Sequence, residues 1–148
     1  MKYIATLGPI GYLPASGTWA SALTILFIYV LRLFNISRMA YSGIMCASII
    51  LAWYAIRTSK PYFKNHDPRE IVIDEVVGCL IAFWCVPLSW LNAVIGFGLF
   101  RFFDITKILG ISWLERQGQV AGILLDDIGA GVLSNILLRF LLWLVVLA

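Results

Sequence analysis

The sequence predicts an all-α fold: a polytopic membrane bundle of about four to five helices, two of them forming a short hairpin, in one domain over residues 1–148. Three observations predict it. Hydrophobic residues make up 61% of the chain and charged residues only 13%, against about 25% charged in soluble domains. The stretches Met39–Ile56 and Val76–Phe100 carry no charge at all, and runs of that length are transmembrane candidates. Such runs also recur along almost the whole chain, which a single buried helix of a soluble protein does not explain.

The elements follow in order. Met1–Thr18 reads as irregular, broken by Gly8, Pro9, Gly11, Pro14 and Gly17. A first helix is expected from about Trp19 to Phe34, a polar turn at Asn35–Arg38, and a second helix at Met39–Ile56. Arg57–Glu70 is a polar loop with Pro61 and Pro68. A third helix starts near Ile71, and Pro87 interrupts its apolar run. Leu88–Phe103 follows as a fourth helix. Asp104–Asp127 reads as polar and glycine-punctuated, with a short amphipathic helix at Ile108–Gln117. A last helix runs from about Ile128 to the C-terminus. No cleavable signal peptide is expected, because Gly and Pro fall where its apolar segment belongs.

Charge selects the hairpin over one long kinked helix. With the hairpin, the N-terminus, Arg57–Glu70 and Arg101–Asp127 share one side, which receives Lys2, Arg57, Lys60, Lys64, Arg69, Arg101, Lys107 and Arg116. The other side receives Arg32 and Arg38. This bias predicts a cytoplasmic location for the crowded side. All eight acids, Asp67 to Asp127, fall there too. The net charge of +3, with no Lys/Arg-rich run, suits anionic lipid head groups and not nucleic acid. Cys46, Cys79 and Cys85 lack metal-site spacing and read as apolar packing residues.

Four polar segments therefore converge: Gly11–Thr18, His66-Asp67-Pro68 with Ile73–Gly78, Arg101–Lys107, and Leu125–Gly131. Asp74, Glu75, Asp104, Asp126 and Asp127 stand there beside apolar residues. Clustered carboxylates repel one another unless a cation lies among them. One or two Mg²⁺ ions supply that charge through oxygen ligands, polarise a phosphoryl oxygen and activate water. Lys107 and Arg101 are then candidates to clamp phosphate oxygens. Gly17 and Thr18 are candidates to bind phosphate at a helix N-terminus. Plainer roles compete. Asp74 and Glu75 suit the first turn of any helix, Asp126-Asp127 can cap the last helix, and Asp104 and Lys107 are spaced for an i,i+3 ion pair. The conjunction of three acidic sites on one face favours chemistry. His66 is the only histidine, which excludes a two-histidine mechanism. The exposed alternative is a small cation transporter or channel, which calls for acids on both sides of the midplane.

At these residues the chain resembles the phosphatidylglycerophosphatase A family. The matching pieces are Pro14-Ala15-Ser16-Gly17-Thr18-Trp19-Ala20-Ser21, Asp67-Pro68 with Ile71–Gly78, Phe100–Lys107, and Gly122–Asp127 with Ala130-Gly131. The resemblance covers about Gly8 to Asn135. It implies Mg²⁺-dependent removal of the terminal phosphate of phosphatidylglycerophosphate, giving phosphatidylglycerol and phosphate. It also implies an all-helical fold and a multi-pass protein of a bacterial inner membrane with its active site on the cytoplasmic face. Asp74, Glu75, Asp104, Asp126 and Asp127 stand at its acidic positions, as metal ligands or, in one case, the base.

Overall fold

A computed structural model describes residues 1–63 and 68–147. Among them it is all-helical: α1 Lys2–Ala5, α2 Ser16–Leu33, α3 Arg38–Ser59, α4 Ile73–Ala82, α5 Trp90–Thr106, α6 Ile111–Glu115 and α7 Gln119–Leu147, with 3₁₀ turns at Ile10–Tyr12 and Lys60–Tyr62. Three helical segments are long and apolar enough to cross a membrane: Ser16–Leu33, Arg38–Tyr62 and Val120–Val145. Their outer faces bear exposed large apolar side chains, among them Leu26, Val30, Ile50, Ile136 and Phe140. In water that surface is costly, whereas in lipid it is solvated. His66, Asp67 and Lys64 lie outside the described residues.

The expected hairpin is present, as α4 and α5. At ten residues, α4 is about 15 Å long and stops half-way through the bundle. It is the central element, packed against α2, α3, α5 and α7. Small residues admit these neighbours. A Cβ on Gly78 would stand 2.7 Å from the Asp127 carbonyl of α7, and one on Gly131 would press on the Gly78 backbone.

A helix that ends inside a bilayer leaves carbonyls without donors. The chain supplies those donors from neighbouring helices. Tyr41 of α3 donates its hydroxyl to the Leu80 carbonyl at 2.9 Å. Asn135 of α7 donates its side-chain amide to the Ala82 and Trp84 carbonyls at 2.9 and 2.8 Å. Arg32 of α2 donates to the Val86 carbonyl at 3.1 Å. The connection then turns at Pro87, and Ser89 caps α5 by accepting from the Asn92 backbone N–H. Beneath the connection lies a dry layer of Leu80, Phe83, Val86, Phe100 and Leu138.

Two expectations are corrected. The amphipathic segment shrinks to the five residues of α6. The last helix begins at Gln119, nine residues before Ile128. Gly122 and Gly129 do not break it, because both are contact positions. A Cβ on Gly122 would collide with the Glu115 backbone, and one on Gly129 would come 2.7 Å from Leu114. Asp126 and Asp127 are therefore not end caps but residues of the helix's third turn.

Candidate active site

A cavity of about 580 Å³ opens where the start of α2, the first turn of α4, the end of α5 and the third turn of α7 meet. Its walls are fixed by local backbone choices. Ala15, left-handed at φ 55°, turns the chain sharply into α2, a conformation costly for a residue with a Cβ. Ser16 then donates its hydroxyl to the Arg69 carbonyl at 2.7 Å. The Val72 N–H donates to the Ala5 carbonyl at 2.9 Å, so α1 pins the approach to α4. At the far wall Lys107, left-handed at φ 48°, ends α5.

All five predicted acids line this cavity. One carboxylate oxygen from each of Asp74, Glu75 and Asp127 lies within 4.8 Å of the others. Oε2 of Glu75 and Oδ1 of Asp127 are buried with no hydrogen-bond partner among the described residues. Asp74 and Asp127 are about 5% exposed. Burial, followed by the nearby charges of Glu75 and Asp127, pushes the Asp74 carboxyl well above the carboxylate range. Burial likewise pushes Glu75 up to about 7. Orphaned anionic oxygens facing one another at low dielectric are the environment that a hard cation relieves. The three carboxylates thus fit a divalent ion with oxygen ligands.

The other two acids stand against cations. Nη1 of Arg101 lies 2.6 Å from Oδ2 of Asp104 and 4.0 Å from Oε1 of Glu75. Lys107 donates from Nζ to Asp126 Oδ2 at 2.8 Å and lies 2.7 Å from Glu115 Oε1. Burial opposes the Lys107 charge, but Asp126 and Glu115 outweigh it and hold its pKa above the ordinary lysine value. The i,i+3 pair that competed as a plainer role for Asp104 and Lys107 does not form. Arg101, one turn back on α5, takes Asp104, while the left-handed backbone at Lys107 sends its side chain to α6 and α7.

Gly17 is a cradle. A Cβ there would collide with Oε1 of Glu75 and stand 2.9 and 3.1 Å from the Arg101 guanidinium nitrogens. Thr18, by contrast, is half-buried and is not on the cavity wall, whereas Ser16 and Gly17 are. Sequence reasoning passed over Ser16 and Glu115. Ser16 stood inside the polar block that opens α2, and its position beside Gly17 was the available signal. Glu115 gave none, since its role depends on where α6 packs.

A sequence model of the family described as phosphatidylglycerophosphatase A matches residues 3–142. The chain belongs to the phosphatidylglycerophosphatase A family. It is therefore similar to known phosphatases over nearly its whole length. It is 34% identical to phosphatidylglycerophosphatase A of Haemophilus influenzae, covering 92% of this chain and 90% of that one. It is 32% identical to phosphatidylglycerophosphatase A of Escherichia coli, over 84% of this chain and 73% of that one. A putative phosphatidylinositol-3-phosphatase of Bacteroides thetaiotaomicron is also 32% identical, over 91% and 89%. No solved structure matches the chain. In this member of the phosphatidylglycerophosphatase A family, the blocks that carried the resemblance are the four walls of one cavity.

Proposed function

We propose that the protein is a Mg²⁺-dependent lipid phosphatase that hydrolyses phosphatidylglycerophosphate to phosphatidylglycerol and phosphate, at the cytoplasmic face of a bacterial inner membrane. The observation that carries the metal dependence is the Asp74–Glu75–Asp127 trio with its two orphaned buried oxygens. Its all-oxygen donor set suits Mg²⁺, which binds few carboxylates and leaves positions for water and phosphate. When bound, Mg²⁺ supplies Lewis acidity and neutralises charge on a phosphoryl group.

The chain's own residues do the rest. Asp74, Glu75 and Asp127 hold the ion. Asp104 and Asp126 fix Arg101 and Lys107 on the wall, so that both cations face the phosphate oxygens with little freedom left to lose. The first turn of α2, at Ser16-Gly17, offers backbone N–H groups at the positive end of an 18-residue helix. One of the five acids accepts the proton of the attacking water. The cavity lies at helix ends, so a lipid head group reaches it without leaving the bilayer.

A cation pathway needs acids on both sides of the midplane. Among the described residues, six acids line this one cavity, Glu70 beside the five predicted, and the opposite end presents Arg32 and Arg38. The test is phosphate release from phosphatidylglycerophosphate, and from phosphatidylinositol 3-phosphate as competitor substrate, by the protein in liposomes with and without Mg²⁺. The first substrate should turn over only with Mg²⁺. Asp127→Asn should lower kcat by about 10²-fold or more and abolish the Mg²⁺-induced rise in Tm. Metal-independent turnover would refute the proposed role of the trio.

A further inference from the structure

We infer that an apolar groove beside the acidic cavity seats one acyl chain of the lipid whose phosphate lies at the carboxylates. The inference rests on the lipid-phosphatase reading and adds to it a substrate-chain site. The groove has a volume of about 360 Å³ and is lined by Leu7, Ile10, Leu23, Thr24, Phe27 and Val76.

Its position commits it to this occupant. Ile10 directly precedes Gly11, and Val76 directly follows Glu75; Gly11 and Glu75 both line the acidic cavity. Two of the groove's wall residues are thus chain neighbours of residues that line the catalytic cavity. A further wall is α2, whose Ser16 and Gly17 lie at the cavity and whose Leu23 and Phe27 lie in the groove. Along α2, Leu23 lies about 9 Å and Phe27 about 15 Å from Gly17, so the groove sits below the head-group level at the depth where acyl chains lie. The groove is also dry in character. Its one polar side chain, Thr24, is 4% exposed and donates its hydroxyl within α2 to the Ala20 carbonyl. Leu7 holds a left-handed φ of 47°, a strained choice for leucine, and contributes to the wall just ahead of Ile10.

A second apolar groove provides the internal control. It is lined by Met45, Ile81, Trp84, Val132, Asn135 and Ile136, the last two of which are eight and nine residues along α7 from Asp127. Neither groove shares a wall residue with the acidic cavity, but no residue of this second groove is even a chain neighbour of one that lines it. Bulk lipid fills it whatever the head group.

The experiment uses the full chain in phosphatidylcholine liposomes. A photoreactive diazirine is placed midway along one acyl chain, either of phosphatidylglycerophosphate in excess or of phosphatidylcholine. Labelled peptides are then mapped by mass spectrometry. Labelling at Leu7–Ile10 and Leu23–Phe27 should be several-fold higher from the phosphomonoester lipid, with no head-group preference at Met45 and Ile136. The same ratio at both grooves overturns the inference and leaves bulk lipid as the occupant. In a second arm, Leu23→Trp and Phe27→Trp fill the groove from exposed positions. Each should lower kcat/KM for the dipalmitoyl substrate by about tenfold or more and leave the deacylated, water-soluble head group unaffected. Equal losses on both substrates, or none on either, overturn the inference. If the unaltered protein releases phosphate from neither substrate, the phosphatase reading fails instead, and the labelling ratio still decides the groove.

Discussion

Replacing Gly17 by alanine tests the site at its tightest point. The added Cβ would collide with Oε1 of Glu75 and stand 2.9 Å from Nη1 and 3.1 Å from Nη2 of Arg101. Ordinary contact requires the Glu75 oxygen to retreat by roughly an ångström, a displacement that costs a positioned catalytic group about 10²-fold. The expected fall in kcat/KM is therefore about 100-fold, equal to about 2.7 kcal/mol of transition-state stabilisation. Stability should barely change, because the atoms that must yield are ends of side chains at a cavity and not backbone. Phosphate release over a Mg²⁺ titration reads the first effect, and thermal unfolding in detergent reads the second. Gly43→Ala is the matched control, since nothing lies within 4 Å of the Cβ it would add and alanine favours a helix. Gly17→Ala with unaltered kcat/KM would refute the placement of Glu75 at the reacting centre. A large loss of Tm would show that Gly17 serves packing.

Three other outcomes are expected. Glu75, raised to about 7 by burial, must lose its proton to bind a cation, so metal affinity should weaken as pH falls below about 7. The Mg²⁺-induced rise in Tm should be larger at pH 8 than at pH 6, and equal shifts would exclude a titrating ligand in this range. Asn135→Leu strips the Ala82 and Trp84 carbonyls of their donor, at a cost of about 1–3 kcal/mol for each group left unmade. Denaturation midpoints should fall while kcat/KM of the folded protein holds. Cysteines placed at Arg69 and Arg38 should react from opposite faces of intact cells, with only Arg38→Cys open to an impermeant reagent from outside; reaction of Arg69→Cys from outside would invert the proposed orientation.

The acidic site was legible because carboxylates stand out in so apolar a chain and only one economical topology brings them together. Pro87 marked the hairpin for a similar reason: a ring without an N–H ends an apolar run wherever it falls. The start of α7 was not legible. Gly118, Gly122 and the Asp126-Asp127 pair carry the signature of a loop, yet Gly122 is small because Glu115 lies against it, a fact that exists only after α6 has packed. The partner of Lys107 was missed on the same ground. Helical spacing offered it only Asp104, as a plainer role, whereas a left-handed residue at the end of α5 turned it toward Asp126. Tyr41, Asn135 and Arg32 drew no functional attention, since their task arises only once α4 stops inside the bundle and leaves carbonyls to be met.

That half-length helix separates an enzyme from a conduit. A path for ions requires polar groups along the whole depth of the protein. Here Asp74 and Glu75 occupy the N-terminal turn of α4, and beyond its C-terminal end Tyr41, Asn135 and Arg32 each donate to a backbone carbonyl. Between the two lie Leu80, Phe83, Val86, Phe100 and Leu138, each no more than 1% exposed. Among the described residues the polar cavity is a dead end. Dead ends suit chemistry, because water enters from one side only and the wall groups keep fixed positions. The hairpin thus lets the ends of α2, α4 and α5 meet the third turn of α7 at one membrane edge, while a dry floor keeps that edge from becoming a pore.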